Sequence, residues 1–262
     1  MGRTSSSQFE AFALSHRGLV RQKNEDRVQV APLESAHGKQ ALLAVLADGV
    51  GGHLAGEVAS RIATDTIISE ISSTYPATDV RAQLEQAILT ANQAILEDIQ
   101  NHPERTGMGT TCVCALMVGK KLYTAHLGDS RLYLFRKHSL LQLTQDHTLY
   151  EDLIKLHGDR LPENDRNHPM AHVLSRYLGS PHVLEIDHTI LGFENQAESL
   201  KLHAGDLLLL CSDGISDLVP YEEIINILSA CKGRKCAQSL VLRALENGGH
   251  DNASVIVIRI PK

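Results

Sequence analysis

Seven short runs of Val, Leu, Ile and aromatic residues constrain this chain most, because several of them follow one another with almost nothing between. Strands are predicted at Phe9–Ser15, Leu42–Ala47, Thr111–Val118, Leu122–Leu127, Leu132–Phe135, Leu207–Cys211 and Ala253–Ile260. The three from Thr111 to Phe135 are joined by turns too short for a crossover helix, which points to antiparallel sheet. Two long helical patterns, Gly56–Ser73 and Val80–Gln100, run consecutively before this triplet, and two shorter ones, at about Tyr221–Cys231 and Lys235–Glu246, come later. Helices grouped in pairs around antiparallel strands give an α+β class, not a doubly wound parallel sheet. No Pro/Gly/Ser-rich linker divides the chain, so residues 1–262 read as a single domain. A polar, His-rich, weakly periodic insertion at about Asp146 to Ser180 is the kind of irregular segment that borders a site.

Composition narrows the function classes. With 262 residues, 43% of them hydrophobic, the chain can bury a substantial core. A net charge of -6 argues against a nucleic-acid surface, which needs clustered Lys and Arg. No apolar run approaches the roughly 20 residues that span a bilayer, and the start has no apolar signal core, so the expectation is a cytoplasmic protein without a membrane partner. Met1-Gly2 followed by Ser6 matches the myristoylation pattern, though a short polar terminus matches it by chance. Five cysteines form no disulfide framework; Cys112 and Cys114 share a strand face, Cys231 and Cys236 sit in a helical stretch, and all are expected as structural thiols in a reducing compartment.

The chemistry lies at the strand ends. Asp48-Gly49 follows one apolar run, Asp129 sits in Gly128-Asp129-Ser130-Arg131 after another, Asp213-Gly214 follows Leu207–Cys211, and Asp251-Asn252 precedes the last strand. Any one of these is an ordinary turn. Together they offer anionic oxygen ligands on rigid supports, which is what hard divalent cations need. Upstream, Arg21 precedes Asn24-Glu25-Asp26 closely enough for one turn to present a guanidinium and two carboxylates, and an Arg fork can hold phosphate oxygens bidentately.

Six ordered blocks then carry a family resemblance: Arg21-Gln22-Lys23-Asn24-Glu25-Asp26, Asp48-Gly49-Val50-Gly51-Gly52-His53, Gly109-Thr110-Thr111, Gly128-Asp129-Ser130-Arg131, Cys211-Ser212-Asp213-Gly214 and Asp251-Asn252-Ala253-Ser254. They resemble the motifs of the type 2C metal-dependent serine/threonine protein phosphatases, most closely the bacterial branch, from about Ser15 to Ile260. The resemblance implies a sandwich of two antiparallel sheets flanked by helix pairs, with two Mg²⁺ or Mn²⁺ ions at one edge. It implies that Asp48 bridges the ions, that the Gly49 carbonyl, Asp213 and Asp251 complete the set, and that Glu25 or, by preference, Asp26 adds a ligand. It further implies that Arg21 holds the phosphate and that Asp129 shares a third, weaker ion with Asp213. Arg21, Asp48 and Asp213 would carry catalysis on phosphoserine and phosphothreonine proteins, in a monomer that opposes a Ser/Thr kinase. The insertion corresponds to the family's flap.

One departure concerns the leaving alkoxide. Some members place a His directly after the Asp-Gly, and here Val50 stands there. His53, His126, His147 and an ion-bound water are the candidate proton donors, with the water preferred. Two other readings compete. Gly49-Val50-Gly51-Gly52-His53-Leu54 approaches a dinucleotide fingerprint but carries Leu54 where a small residue is required. A pseudophosphatase would need broken ligands, yet Asp48, Asp213 and Asp251 are intact.

Overall fold

The stretch Ala41–Ala47 is apolar at every position, the mark of a strand covered on both faces. In the computed structural model, which describes residues 2–5, 9–35, 38, 40–51, 55–157, 168, 170–193 and 198–261, it forms the centre of β4 (Gln40–Val50). Its neighbours are β3 (Asp26–Glu34) on one side and β6 (Cys112–Val118) on the other, followed by β7 (Lys121–Leu127) and β10 (Leu200–Lys201). The short β5 (Gly109–Thr110) pairs with the end of β4. A second sheet runs in the order β1 (Gly2–Ser5), β2 (Glu10–His16), β12 (Ala253–Arg259), β11 (Leu207–Cys211), β8 (Arg131–Arg136) and β9 (Ser139–Gln142). Every pairing is antiparallel.

Alternation along the strands divides the interior into three apolar layers. Leu42, Ala44 and Leu46 point between the sheets and meet Leu132, Leu208, Leu210 and Ile256. Leu43 and Val45 point outward, where α1 (Gly56–Thr74) and α2 (Val80–Asn101) cover them with Ala59, Ala63, Ile67 and Ile71 and with Leu84, Ile88 and Ile95. These i, i+4 spacings put each stripe on one helix face. Across the molecule, α5 (Tyr221–Ala230) and α6 (Arg234–Glu246) set Ile224, Leu228, Leu240 and Ala244 on Leu209, Val255 and Val257. The result is the expected α-β-β-α sandwich. Two short helices complete it: α3 (Leu149–His157), inside the expected insertion, and α4 (Asp213–Ser216), directly after β11.

Two differences from the sequence reading have physical causes. β3 carries Arg27, Gln29 and Pro32, which hide its strand character, and Pro32 is tolerated because β3 is an edge strand. The expected thiols at Cys231 and Cys236 are instead joined in a disulfide, with Cα atoms 5.3 Å apart. They do not share a helix: Cys231 ends α5, Gly233 turns the chain, and Cys236 lies in the first turn of α6. Cys112, Cys114 and Cys211 are free and buried, as expected.

Candidate active site

Strand register assembles the site. β3 and β4 pair so that Asp26 lies directly opposite Asp48. Like charges in such a pair repel unless a cation lies between them. β11 ends at Cys211 beside the first residues of β12, which brings Asp213 and Asp251 to the same end of the sandwich. There they line a cleft of about 520 Å³ together with Arg21, Glu25, Asp48, Gly49 and Asp129. Val50, Leu174 and Leu218 supply apolar wall.

Hydrogen bonds hold the pieces. The Asp48 backbone N donates to Thr111 Oγ1 at 3.0 Å, and the Asp48 carbonyl accepts from Thr111 N and from Thr110 Oγ1, both at 2.8 Å. Asn252 clamps the loop that carries Arg21: its Oδ1 accepts from Glu25 N at 2.7 Å, and its Nδ2 donates to the carbonyls of Arg17 and Lys23. Arg21 itself donates to Asp251 Oδ2 at 2.6 Å and stays half-exposed at the mouth. Gly49 is required by space, since a Cβ there would stand 2.4 Å from the Gly56 carbonyl oxygen. That close approach keeps the start of α1 against the cleft.

Asp26 differs from the other carboxylates. Glu25 stands on the cleft wall, whereas Asp26 is buried beneath it and accepts from Ser212 Oγ at 2.8 Å. Its Oδ1, like Oδ1 of Asp213, is buried with no hydrogen-bond partner. Burial, with repulsion from Asp251, pushes Asp26 up to about 6. Burial, with Asp251, Asp217 and Asp26 nearby, pushes Asp213 to about 7. Asp48 is driven well above the usual range by burial and then by Asp26, Asp213, Asp129 and Asp251, and Asp129 is raised by burial and by Asp213. Buried, unpartnered carboxylate oxygens in an all-oxygen donor set fit divalent cations, whose charge would offset this repulsion.

The candidate proton donors separate. His126 and His147 are fully buried and do not line the cleft, and His53 lies outside the described residues. The imidazoles on the cleft wall are His172 and His250, which sequence reasoning missed. His172 lies within the expected insertion and pairs with Asp217 at 3.4 Å. His250 is adjacent to Asp251, the one local signal that pointed to it.

An α-β-β-α sandwich with a carboxylate-lined cleft at one end of its sheets defines the class to which this chain belongs. The sequence pattern of the family described as Protein phosphatase 2C matches residues 16–241. The serine/threonine phosphatase stp of Listeria monocytogenes is 33% identical over 246 residues, which cover 92% of each chain. The serine/threonine protein phosphatase PstP of Mycobacterium tuberculosis is 38% identical over 245 residues, 94% of this chain but only 44% of that longer protein. A crystal structure of the PstP catalytic domain in complex with two manganese ions superposes with a TM-score of 0.79 at 34% identity, covering 97% of this chain and 99% of that one. The chain belongs to the protein phosphatase 2C family.

Proposed function

We propose that this protein hydrolyses phosphoserine and phosphothreonine in proteins, using Mg²⁺ or Mn²⁺ held by Asp48, Asp213, Asp251, Asp26 and the Gly49 carbonyl. The observation that carries this reading is the convergence of five strand-end or turn carboxylates and Arg21 on one cleft, with unpartnered buried oxygens on Asp26 and Asp213. Bound in that cleft, a pair of cations would acidify a water and offset the charge that builds on the phosphoryl oxygens. Arg21 stands at the mouth with one carboxylate partner, so a phosphate dianion can compete with Asp251 for its fork. The Val50, Leu174 and Leu218 wall excludes water beside the reacting group. Asp129 serves a third, weaker ion together with Asp213. Ser212 is fully buried and off the cleft wall, and its hydroxyl donates to Asp26, so it orients a carboxylate and does not attack phosphorus.

The reading extends to a single catalytic domain whose segment near residues 146–180 acts as a flap, and to a monomer that opposes a Ser/Thr kinase in the cytoplasm. Among the described residues no helix is long and apolar enough to cross a membrane. The experiment is a phosphopeptide assay with Mn²⁺ added and then removed by a chelator. Turnover is expected only with the metal, and full activity after chelation would overturn the two-ion reading.

A further inference from the structure

Behind the cleft, three residues that no step so far employs come together. His126 on β7 pairs through its backbone with Asp187, His126 N donating to the Asp187 carbonyl at 2.9 Å and Asp187 N to the His126 carbonyl at 3.2 Å. The rings of His126 and His147 stack, with centroids 4.7 Å apart and planes 8° from parallel. One donor atom from each of His126, His147 and Asp187 lies within 4.8 Å of the others, a set of residue types that could hold a transition metal.

The hydrogen bonds argue for a different use. His126 Nε2 lies 2.8 Å from the Gln145 carbonyl. His147 Nδ1 lies 3.2 Å from the Gly128 amide, and its Nε2 lies 3.4 Å from Asp187 Oδ2. Parallel rings also send their in-plane lone pairs past one another instead of toward a common point. An amide N–H can only donate, so His147 Nδ1 must carry the lone pair and Nε2 the proton, which it gives to Asp187. Burial would raise the Asp187 carboxyl, but bonds from His147 and Thr189 outweigh it and hold the group well below the usual range, as the acceptor role requires.

His147 in fact grips both polar atoms of one peptide residue. Its ring accepts from Gly128 N, and its own backbone N donates to the Gly128 carbonyl at 3.0 Å. Gly128 has φ +98°, and a Cβ there would strike the Thr111 side chain at 2.6 Å, so the turn tolerates glycine alone and its geometry must be held from outside. The next residue is Asp129, on the cleft wall. Ser175 N donates to the His147 carbonyl at 3.0 Å, which joins a third segment to the same point.

We propose that His147 is a positioning residue for Asp129: Asp187 fixes the imidazole tautomer, the imidazole and backbone of His147 fix Gly128, and Gly128 aims the Asp129 carboxylate into the cleft. Groups behind a metal ligand that hold it by hydrogen bonds orient it in the same manner elsewhere, and losing one typically costs about 10–100-fold in metal affinity or activity. The inference rests on the reading of Asp129 as a cation ligand.

Two substitutions divide the imidazole's roles. His147→Asn places an acceptor oxygen near the position of Nδ1 and loses reach to Asp187; His147→Gln reaches Asp187 and leaves the Gly128 amide without its acceptor. Amide hydrogen exchange at Gly128 in the metal-free protein should accelerate in His147→Gln and stay near wild type in His147→Asn. Mn²⁺ binding by calorimetry and the Mn²⁺ concentration for half-maximal phosphopeptide turnover should weaken about 10–100-fold in His147→Gln alone. Equal damage from both substitutions would reduce His147 to packing and overturn the proposal. If Asp129→Asn leaves Mn²⁺ binding and dependence unchanged while Gly128 still responds to His147→Gln, the cation reading of Asp129 fails and the hydrogen-bond relay stands. The unaltered protein supplies a check that needs no variant to fold: imidazole ¹⁵N shifts should place the His147 proton on Nε2, and a proton on Nδ1 overturns the relay.

Discussion

Asp213 carries two opposed consequences of a single position. Its carboxylate belongs to the proposed ion-binding set, so Asp213→Asn should lower kcat by about 10³, the size expected when several kcal/mol of transition-state charge stabilisation are lost. The same carboxylate is pushed up to about 7 by burial and by Asp251, Asp217 and Asp26, so at pH 8 in chelator it is mostly ionised and repelled. Asp213→Asn should therefore raise the thermal midpoint of the metal-free protein while removing activity, and a lowered midpoint would contradict the repulsion. Ser212 is a subtler case. Its hydroxyl donates to Asp26 Oδ2 at 2.8 Å and accepts from Ser254 N at 3.1 Å. Ser212→Ala removes a hydroxyl donor from Asp26 and should weaken Mn²⁺ binding about 10–100-fold in calorimetry. An unchanged affinity would remove Asp26 from the proposed ligand set, because its orientation would then be immaterial.

Among the elements, the join between β8 and the segment that follows β9 depends on one buried ion pair. Arg131 Nε donates to both oxygens of Asp146 at 2.9 and 3.0 Å, and Arg131 and Asp146 side chains are only 12% and 13% exposed. Removing one partner leaves an uncompensated buried charge, which typically costs about 3–5 kcal/mol. Urea unfolding of Arg131→Ala should show a loss of that size, and a loss below about 1 kcal/mol, the range of an exposed pair, would mean that the bridge does not hold the join. The block Gly128-Asp129-Ser130-Arg131 was legible as a motif, but not this use of its arginine, since the partner lies 15 residues on. Neither was the disulfide, because spacing within an assumed helix conceals the turn at Gly233 that faces Cys231 toward Cys236.

For the whole molecule, the carboxylate cluster makes stability a function of pH and metal together. In the metal-free protein Asp26 lies at about 6 and Asp213 at about 7, both above the ordinary 3.8 that they recover on unfolding. Between pH 4 and pH 7 the native state thus holds more protons than the unfolded chain, and stability falls as pH rises through that window. Cations bind the deprotonated carboxylates of the native state only, so saturating Mn²⁺ should stabilise more at pH 8 than at pH 5. Scanning calorimetry across that range, with Mn²⁺ and with chelator, checks both signs. A metal-free midpoint that climbs from pH 5 to pH 8 would be incompatible with a repulsive cluster.

What the sequence determined by itself is what depends on near neighbours. Continuous apolar runs such as Ala41–Ala47 declared strands buried on both faces, paired helical stripes declared the outer layers, and each Asp beside a turn-former marked a strand end. The order of those motifs identified the family and most of the cleft: Arg21, Asp48, Gly49, Asp129, Asp213 and Asp251 all line it. Tertiary structure alone decided which groups face one another across long stretches of chain. It set Asp26 beneath the cleft under Ser212, 186 residues away, left Glu25 on the wall, withdrew His126 and His147 into the interior, and brought His172 and His250 forward. Whether a side chain is buried and what it meets is set by the register and packing of distant elements, and no local pattern carries that information.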